Sequence, residues 1–213
     1  HRGERRIDLL LLSHRDADHV GGAASLLAAL PVAAISSSLE AGHPLLQRGV
    51  PAQRCLAGQR WDWDGVRFEV LHPTADDYAT QRKPNDVSCV LRATDAAGHR
   101  VLLTGDIEAP QEAALLARHG APALASTVLI VPHHGSKTSS TAAFLDAVQP
   151  QWAVVQAGYR SRFGHPAAPV LARYAERGLT VVRSDQCGAW RWDGQGARCE
   201  RADRRRYWHD QPP

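Results

Sequence analysis

The chain has 213 residues, 44% of them hydrophobic, enough for one domain with a proper core and too few for two of ordinary size. It starts with His and contains no Met, so we read it as a piece of a longer polypeptide, and with no apolar run approaching the ~20 residues of a membrane span, the chain as it stands should be soluble. A net charge of +3, from 25 basic and 22 acidic residues, excludes a polycation; every basic residue except Lys83 and Lys137 is arginine, a bias that suits phosphate but equally follows from genome composition.

Residues 7–12 are apolar apart from Asp8 and read as a buried strand, with a polar loop directly after it. Gly21-Gly22 leads into a helix over 23–30 that Pro31 stops, and 32–36 is a second strand. Residues 61–63 and 66–71 form a hairpin around an Asp64-Gly65 turn, ended by His72-Pro73. A further hairpin pairs 87–94 with 100–104 across the turn 95–98, after which Gly105-Asp106 leaves the sheet. Residues 108–119 read as a helix, 127–131 as a strand ending at Pro132-His133-His134, 141–148 as a helix and 152–156 as a strand. A loop then reaches Gly164-His165-Pro166, with Pro166 the first residue of a helix running to Arg177 and closed by Gly178. A strand over 179–183 and a hairpin from Cys187 to Cys199 complete a domain over 1–200, leaving 201–213 as a polar tail. Helices and strands alternate with antiparallel hairpins mixed in, so the fold class is α/β or α+β with a mixed sheet.

Cys55, Cys89, Cys187 and Cys199 contain no Cys-x-x-Cys pair, which argues against a zinc ribbon. Cys187 and Cys199 hold near-symmetric hairpin positions, where a disulfide and two reduced thiols are both open.

Chemistry concentrates in one loop. His14, Asp16, Asp18 and His19 crowd into six residues after a buried strand; His14 and Asp16 can face one metal ion while Asp18 and His19 turn toward a second, and paired ions can share a water. Taken alone, such a loop is also compatible with a solvated acidic turn. Asp106 and His133-His134, however, also leave strand ends, and in open α/β sheets that edge is where sites assemble. Folding the 87–104 hairpin about Ala96 sets Asp86 opposite Asp106, bringing Asn85-Asp86 to the same edge. His165 either faces this site or is an ordinary residue before proline. Gly135-Ser136-Lys137 with Ser139 and Ser140 offers amides, hydroxyls and a cation suited to a phosphate, or simply caps a helix. His1, His43, His72, His99, His119 and His209 are assigned nothing.

The run His14-x-Asp16-x-Asp18-His19 resembles the His-x-His-x-Asp-His signature of the metallo-β-lactamase superfamily with its second His replaced by Asp. Together with Ser13, Gly21-Gly22, Asn85-Asp86-x-Ser88, Leu103-Thr104-Gly105-Asp106, Pro132-His133-His134-Gly135-Ser136 and Gly164-His165-Pro166, it is similar to the C-terminal hydrolase domain of the ComEC family of bacterial DNA-internalisation competence proteins. The resemblance implies an αββα sandwich. It also implies cleavage of DNA, the strand not taken up being degraded, in a domain of a cell-membrane channel facing the periplasm or exterior, with single-stranded DNA and the rest of the channel as partners. Domains of this kind usually open with two further strands carrying Gly-Gln-Gly and Asp-Ala-Gly motifs, which this sequence lacks, so an incomplete N-terminal sheet is expected.

On this pattern the metal ligands are His14, Asp16, Asp18, His19, Asp106 and His134, with Asp106 bridging two divalent ions. Asp18 also orients the attacking hydroxide, His133 and His165 handle protons, and Asn85, Asp86, Ser88, Ser136 and Lys137 contact substrate. The family's usual third imidazole is replaced by Asn85-Asp86, and oxygen for imidazole shifts the expected metal toward Mn2+, with Zn2+ and Mg2+ as alternatives. Rival readings are a phosphorylcholine-type esterase or lactonase on the same site, and a catalytically silent DNA-binding module.

Overall fold

The computed structural model describes residue 3 and residues 5–80 and 83–204; the expected tail beyond Arg204, with His209, and also His1, lie outside the described residues. Three strands, β1 (Leu10–Leu12), β2 (Ile35–Ser37) and β3 (Ala52–Arg54), form a small parallel sheet in that order. Seven more, β4 (Arg60–Trp63), β5 (Val66–His72), β6 (Val90–Thr94), β7 (Arg100–Leu103), β8 (Val128–Ile130), β9 (Trp152–Val155) and β10 (Thr180–Arg183), make one mixed sheet of order β10-β9-β8-β7-β6-β5-β4. The pairs from β4 to β7 are antiparallel, whereas β7 to β10 run parallel and require the intervening helices as crossovers. A hairpin of β11 (Trp190–Trp192) and β12 (Ala197–Cys199) ends the fold.

Alternation along the parallel strands decides the layering. Leu102, Leu129 and Ala153 are fully buried and join Leu115, Phe144 and Tyr174 in the main core, so the helices Ala109–His119, Ala142–Val148 and Ala168–Ala175 cover that face. The opposite face, through Val70, Leu91 and Phe68, meets Leu11 of the small sheet and the Cys55–Cys89 pair. Outside the small sheet lies the helix Ala23–Ala29, with Ala23 packed against Leu12 and Ile35. Helix, sheet, sheet, helices is the expected four-layer order, and the small sheet has three strands among the described residues.

Several boundaries shift for local reasons. The expected helix from Pro166 begins instead at Ala168, with Pro169 in its first turn; Pro166 follows His165 through a cis peptide and serves to pack the site, not to start a helix. The 87–104 hairpin pairs Thr94 with Arg100, and Asp95 N–H donates to the His99 carbonyl, because Gly98 at φ +86° closes a three-residue loop. That register sets Ser88, rather than Asp86, beside Asp106. Residues 201–203, expected in the tail, lie in the short helix Glu200–Asp203. Cys187 and Cys199 are disulfide-bonded, and so are Cys55 and Cys89, a pair not anticipated that links the loop after β3 to the segment just before β6.

Candidate metal centre and its surroundings

Four loops meet at one edge because two glycines let them approach. At Gly105 (φ +54°) a Cβ would stand 3.0 Å from the Ser13 Cβ and 3.1 Å from the Ser88 Cβ, so the loops after β1 and β7 and the segment before β6 close only around glycine. At Gly135 (φ +80°) a Cβ would lie 2.7 Å from the Pro166 Cβ, which is how the loops after β8 and β9 nest. Between them, His133 (φ 47°, ψ 44°) and His134 (φ 53°, ψ 19°) both take the left-handed conformation, at a cost of about 1–2 kcal/mol each for a residue with a Cβ. The His133 N–H bond to the Gly105 carbonyl (3.1 Å) helps hold the turn, and both rings are delivered to Asp106.

Three imidazoles share one arrangement: Nδ1 is anchored by protein and Nε2 is directed inward. His14 Nδ1 lies 3.1 Å from Ser88 Oγ and 3.2 Å from Ser13 Oγ; His19 Nδ1 lies 2.9 Å from Ser13 Oγ; His134 Nδ1 donates to the Gln156 carbonyl at 2.7 Å. Their Nε2 atoms converge on carboxylates. His19 Nε2 is 3.1 Å from Asp106 Oδ1, His134 Nε2 is 3.2 Å from Asp18 Oδ2 and 3.5 Å from Asp106 Oδ2, and His14 Nε2 is 3.5 Å from Asp16 Oδ2. Ligand atoms of Asp18, His19, Asp106 and His134 all lie within 4.8 Å of one another. His14 Nε2 is fully buried with no hydrogen-bond partner, facing Asp16, which leaves its lone pair free for a cation held at this edge.

The electrostatics agree. Burial would raise Asp106, but the hydrogen bond from His19 and the charges of His134, His19 and His14 hold its carboxyl below the ordinary value. Burial pulls His19 down too, yet Asp106, Asp18 and Asp16 outweigh it and raise that imidazole. His14 is depressed, chiefly by burial and then by the neighbouring His19. His165 is likewise depressed, by burial first and then by His133 and His134.

His133 occupies a second tier. Its Nε2 is 3.8 Å from Asp106 Oδ2, while Nδ1 lies 3.3 Å from Glu108 Oε1 and 3.2 Å from Thr138 Oγ1. Its ring centroid is 5.9 Å from that of His165. Glu108 is not singled out by the sequence, where it reads as a helix start; its place two residues after Asp106 was the available signal. The carboxylate is buried and bonded by Lys83 and, at 3.4 Å, by Asn85 Nδ2.

The expected substrate contacts are dispersed. Ser88 is fully buried and also accepts the Asp106 N–H at 3.1 Å, so it supports His14 and Asp106 from behind and offers no surface to a substrate. Asn85 turns to Glu108, and Asp86 accepts from the Lys83 amide (3.1 Å) and Gln111 Nε2 (3.2 Å), away from the imidazoles, as the hairpin register dictates. Ser136 folds back on Thr138, and Lys137 is exposed on the same loop.

Residues 1–159 match the family model described as the Metallo-beta-lactamase superfamily. Among curated proteins, the chain is 40% identical to Competence protein ComA of Neisseria gonorrhoeae over 217 residues, covering 99% of this chain and 29% of that protein. It is 32% identical to ComE operon protein 3 of Bacillus subtilis (strain 168), covering 88% of this chain and 24% of that protein. The chain thus spans less than a third of the length of these relatives. Among solved structures, Igni18, described as a novel metallo hydrolase from the hyperthermophilic archaeon Ignicoccus hospitalis KIN4/I, superposes with a TM-score of 0.55 at 17% identity, covering 83% of this chain and 75% of that one, a likeness of fold.

Proposed function

The chain belongs to the metallo-β-lactamase superfamily, and from that premise we propose that it is a metal-dependent phosphodiesterase domain that degrades DNA within a DNA-uptake protein. The observation that carries the reading is the convergence of Asp18, His19, Asp106 and His134 within 4.8 Å, beside the orphaned Nε2 of His14. Asp18, His19, Asp106 and His134 would hold one divalent ion, and the adjacent His14 and Asp16 would help to hold a second. Bound there, such ions supply Lewis acidity and charge neutralisation for a phosphodiester.

The protein's own part is positioning and proton handling. Asp18, the most exposed carboxylate of the cluster, accepts a hydrogen bond from an attacking water and orients it. His133, whose Nδ1 is hydrogen-bonded to Thr138 and lies beside Glu108, donates a proton to the departing sugar oxygen; the nearby carboxylate stabilises the imidazolium. His165, packed on His133, backs that ring. Three carboxylates among six ligands make the donor set hard, which favours Mn2+ or Mg2+ over Zn2+. DNA as substrate is supported by the competence designation of the relatives and by the arginine-rich composition. The domain spans 1–200 in this reading, borne by a cell-membrane protein with the site facing outward; no described helix is long and apolar enough to cross a membrane.

Cleavage of a labelled single strand and of bis(4-nitrophenyl) phosphate, across Mn2+, Mg2+ and Zn2+, tests this reading. Asp106→Asn and His134→Ala should each abolish metal-dependent cleavage while leaving the unfolding transition in chelator intact. Retention of cleavage by either variant, or turnover of lactones or choline phosphodiesters in place of DNA, would refute it.

A further inference from the structure

Between β9 and the helix Ala168–Ala175 the chain makes two successive turns beside the metal centre, one closed by Ser161 N–H to the Gly158 carbonyl (3.1 Å), the other by Gly164 N–H to the Ser161 carbonyl (3.0 Å). The central positions of each hold one aromatic residue and one arginine, Tyr159-Arg160 and then Arg162-Phe163. Each guanidinium lies over its own ring, 5.2 Å from the Tyr159 centroid and 4.8 Å from that of Phe163. Phe163 is 67% exposed and Tyr159 45%, two of the four large hydrophobic residues exposed among the described residues. A single exposed aromatic needs no explanation. Two in adjacent turns, each paired with a cation, are a different matter, because apolar exposure is being maintained next to charge.

The patch is also connected to the reacting centre. The Phe163 ring stacks on His165 at 18° with centroids 6.1 Å apart, His165 meets His133 at 5.9 Å, and His133 Nε2 lies 3.8 Å from Asp106. Aromatic faces interleaved with guanidinium groups are the chemistry that holds single-stranded nucleic acid: bases stack on the rings whatever their identity, and the cations meet the intervening phosphates. A duplex hides the base faces that such a surface requires.

We propose that Tyr159, Arg160, Arg162 and Phe163 form a stacking platform that grips the bases and phosphates of a single strand flanking the scissile phosphate. This inference rests on the nuclease reading above and names the part of the substrate that the metal ligands do not touch.

Fluorescence anisotropy with the 213-residue chain in EDTA tests it independently of turnover, using a labelled thymidine oligonucleotide and an abasic strand of equal length and charge. The parent should bind the thymidine strand at least about tenfold more tightly than the abasic one, and Phe163→Ala should cut that preference several-fold, leaving the part that Tyr159 supplies, as expected when one of two bases no longer stacks. Phe163→Trp should retain the preference, which a purely structural role for the ring would not predict. Arg160→Ala combined with Arg162→Ala should weaken both ligands and flatten the dependence on salt, with a slope reduced by about 0.7 for each phosphate that is no longer neutralised. With Mn2+ present, the ratio of DNA cleavage to bis(4-nitrophenyl) phosphate hydrolysis should fall about tenfold in Phe163→Ala. Equal affinity of the parent for both strands, an unchanged preference in Phe163→Ala, or binding to anionic phosphatidylglycerol vesicles with none to either oligonucleotide would each overturn the proposal. A parent that prefers the thymidine strand but hydrolyses neither substrate would leave the platform standing and refute the nuclease reading instead.

Discussion

Ser88→Ala removes one hydroxyl that no solvent reaches, and its consequences follow from the two hydrogen bonds that oxygen makes. It lies 3.1 Å from His14 Nδ1 and accepts the Asp106 N–H at 3.1 Å, so the variant orphans a buried amide and halves the anchoring of one imidazole. An unpaired buried N–H costs about 1–3 kcal/mol, which should appear as a lower urea midpoint for the metal-free protein. His14 keeps Ser13 Oγ at 3.2 Å, but that oxygen is also the 2.9 Å partner of His19 Nδ1 and cannot hold both rings as firmly. Removing a hydrogen bond that orients a ligand weakens metal binding by about 10–100-fold. Competition titration against a chelator measures this directly, and with saturating metal the variant should recover most of its activity. A metal affinity within about twofold of the parent, or a defect confined to KM for DNA, would refute the assignment, because the second outcome is what a substrate-contacting Ser88 would give.

Glu108→Gln keeps the shape beside His133 and removes the charge. Cleavage of DNA should fall by about 10–100-fold, within the range for a compromised general acid, whereas bis(4-nitrophenyl) phosphate should be affected less because nitrophenolate departs without a proton; equal losses on both substrates would count against the proton-donor role. His72 is fully buried, its Nε2 donating to the Asp86 carbonyl at 2.8 Å; Nδ1 lies 3.2 Å from Asp77 Oδ2 but outside hydrogen-bond geometry. Burial depresses this imidazole, and the Asp86 carbonyl and Asp77 only partly restore it. The unfolded chain therefore takes up a proton near pH 6.5 that the folded chain resists, and stability should decline as pH falls below about 6.5. Urea midpoints at about pH 7.5 and about pH 5.5 should differ less in His72→Gln than in the parent; an equal difference would refute it.

The site was legible wherever ligands follow an apolar strand directly. Residues 7–12, 100–104 and 127–131 are apolar enough to read as strands, and His14, Asp106 and His134 follow each within a few positions, so their meeting at one edge was implied by sheet geometry. Register was not legible, because one residue of loop length decides it. Gly98 in the left-handed conformation moves the hairpin centre past Ala96, and Ser88 rather than Asp86 ends beside Asp106. β3, with its sequence Ala-Gln-Arg, is exposed at every position and carries no alternation to detect. Pro166 looked like a helix start because proline commonly is one; its packing against Gly135 depends on a residue 31 positions distant, which local patterns do not encode. Glu108 acquires its role only through the left-handed turn that swings His133 toward it.

The partners of the imidazoles bear on which metal the centre prefers. A carboxylate at Nδ1 makes Nε2 a stronger base and a better ligand for zinc, whereas His14 and His19 are held by the neutral hydroxyls of Ser13 and Ser88, and His134 by a backbone carbonyl. Among these rings only His133, the proposed proton donor, has a carboxylate at Nδ1. In the proposed centre the negative charge is carried instead by the oxygens of Asp16, Asp18 and Asp106, and three carboxylates would leave two divalent ions with one net positive charge, matched to the single negative charge of a phosphodiester. In the proposed centre, less basic imidazoles together with anionic oxygens would favour a harder ion, so the same serines that orient His14 and His19 would also weaken its claim on zinc.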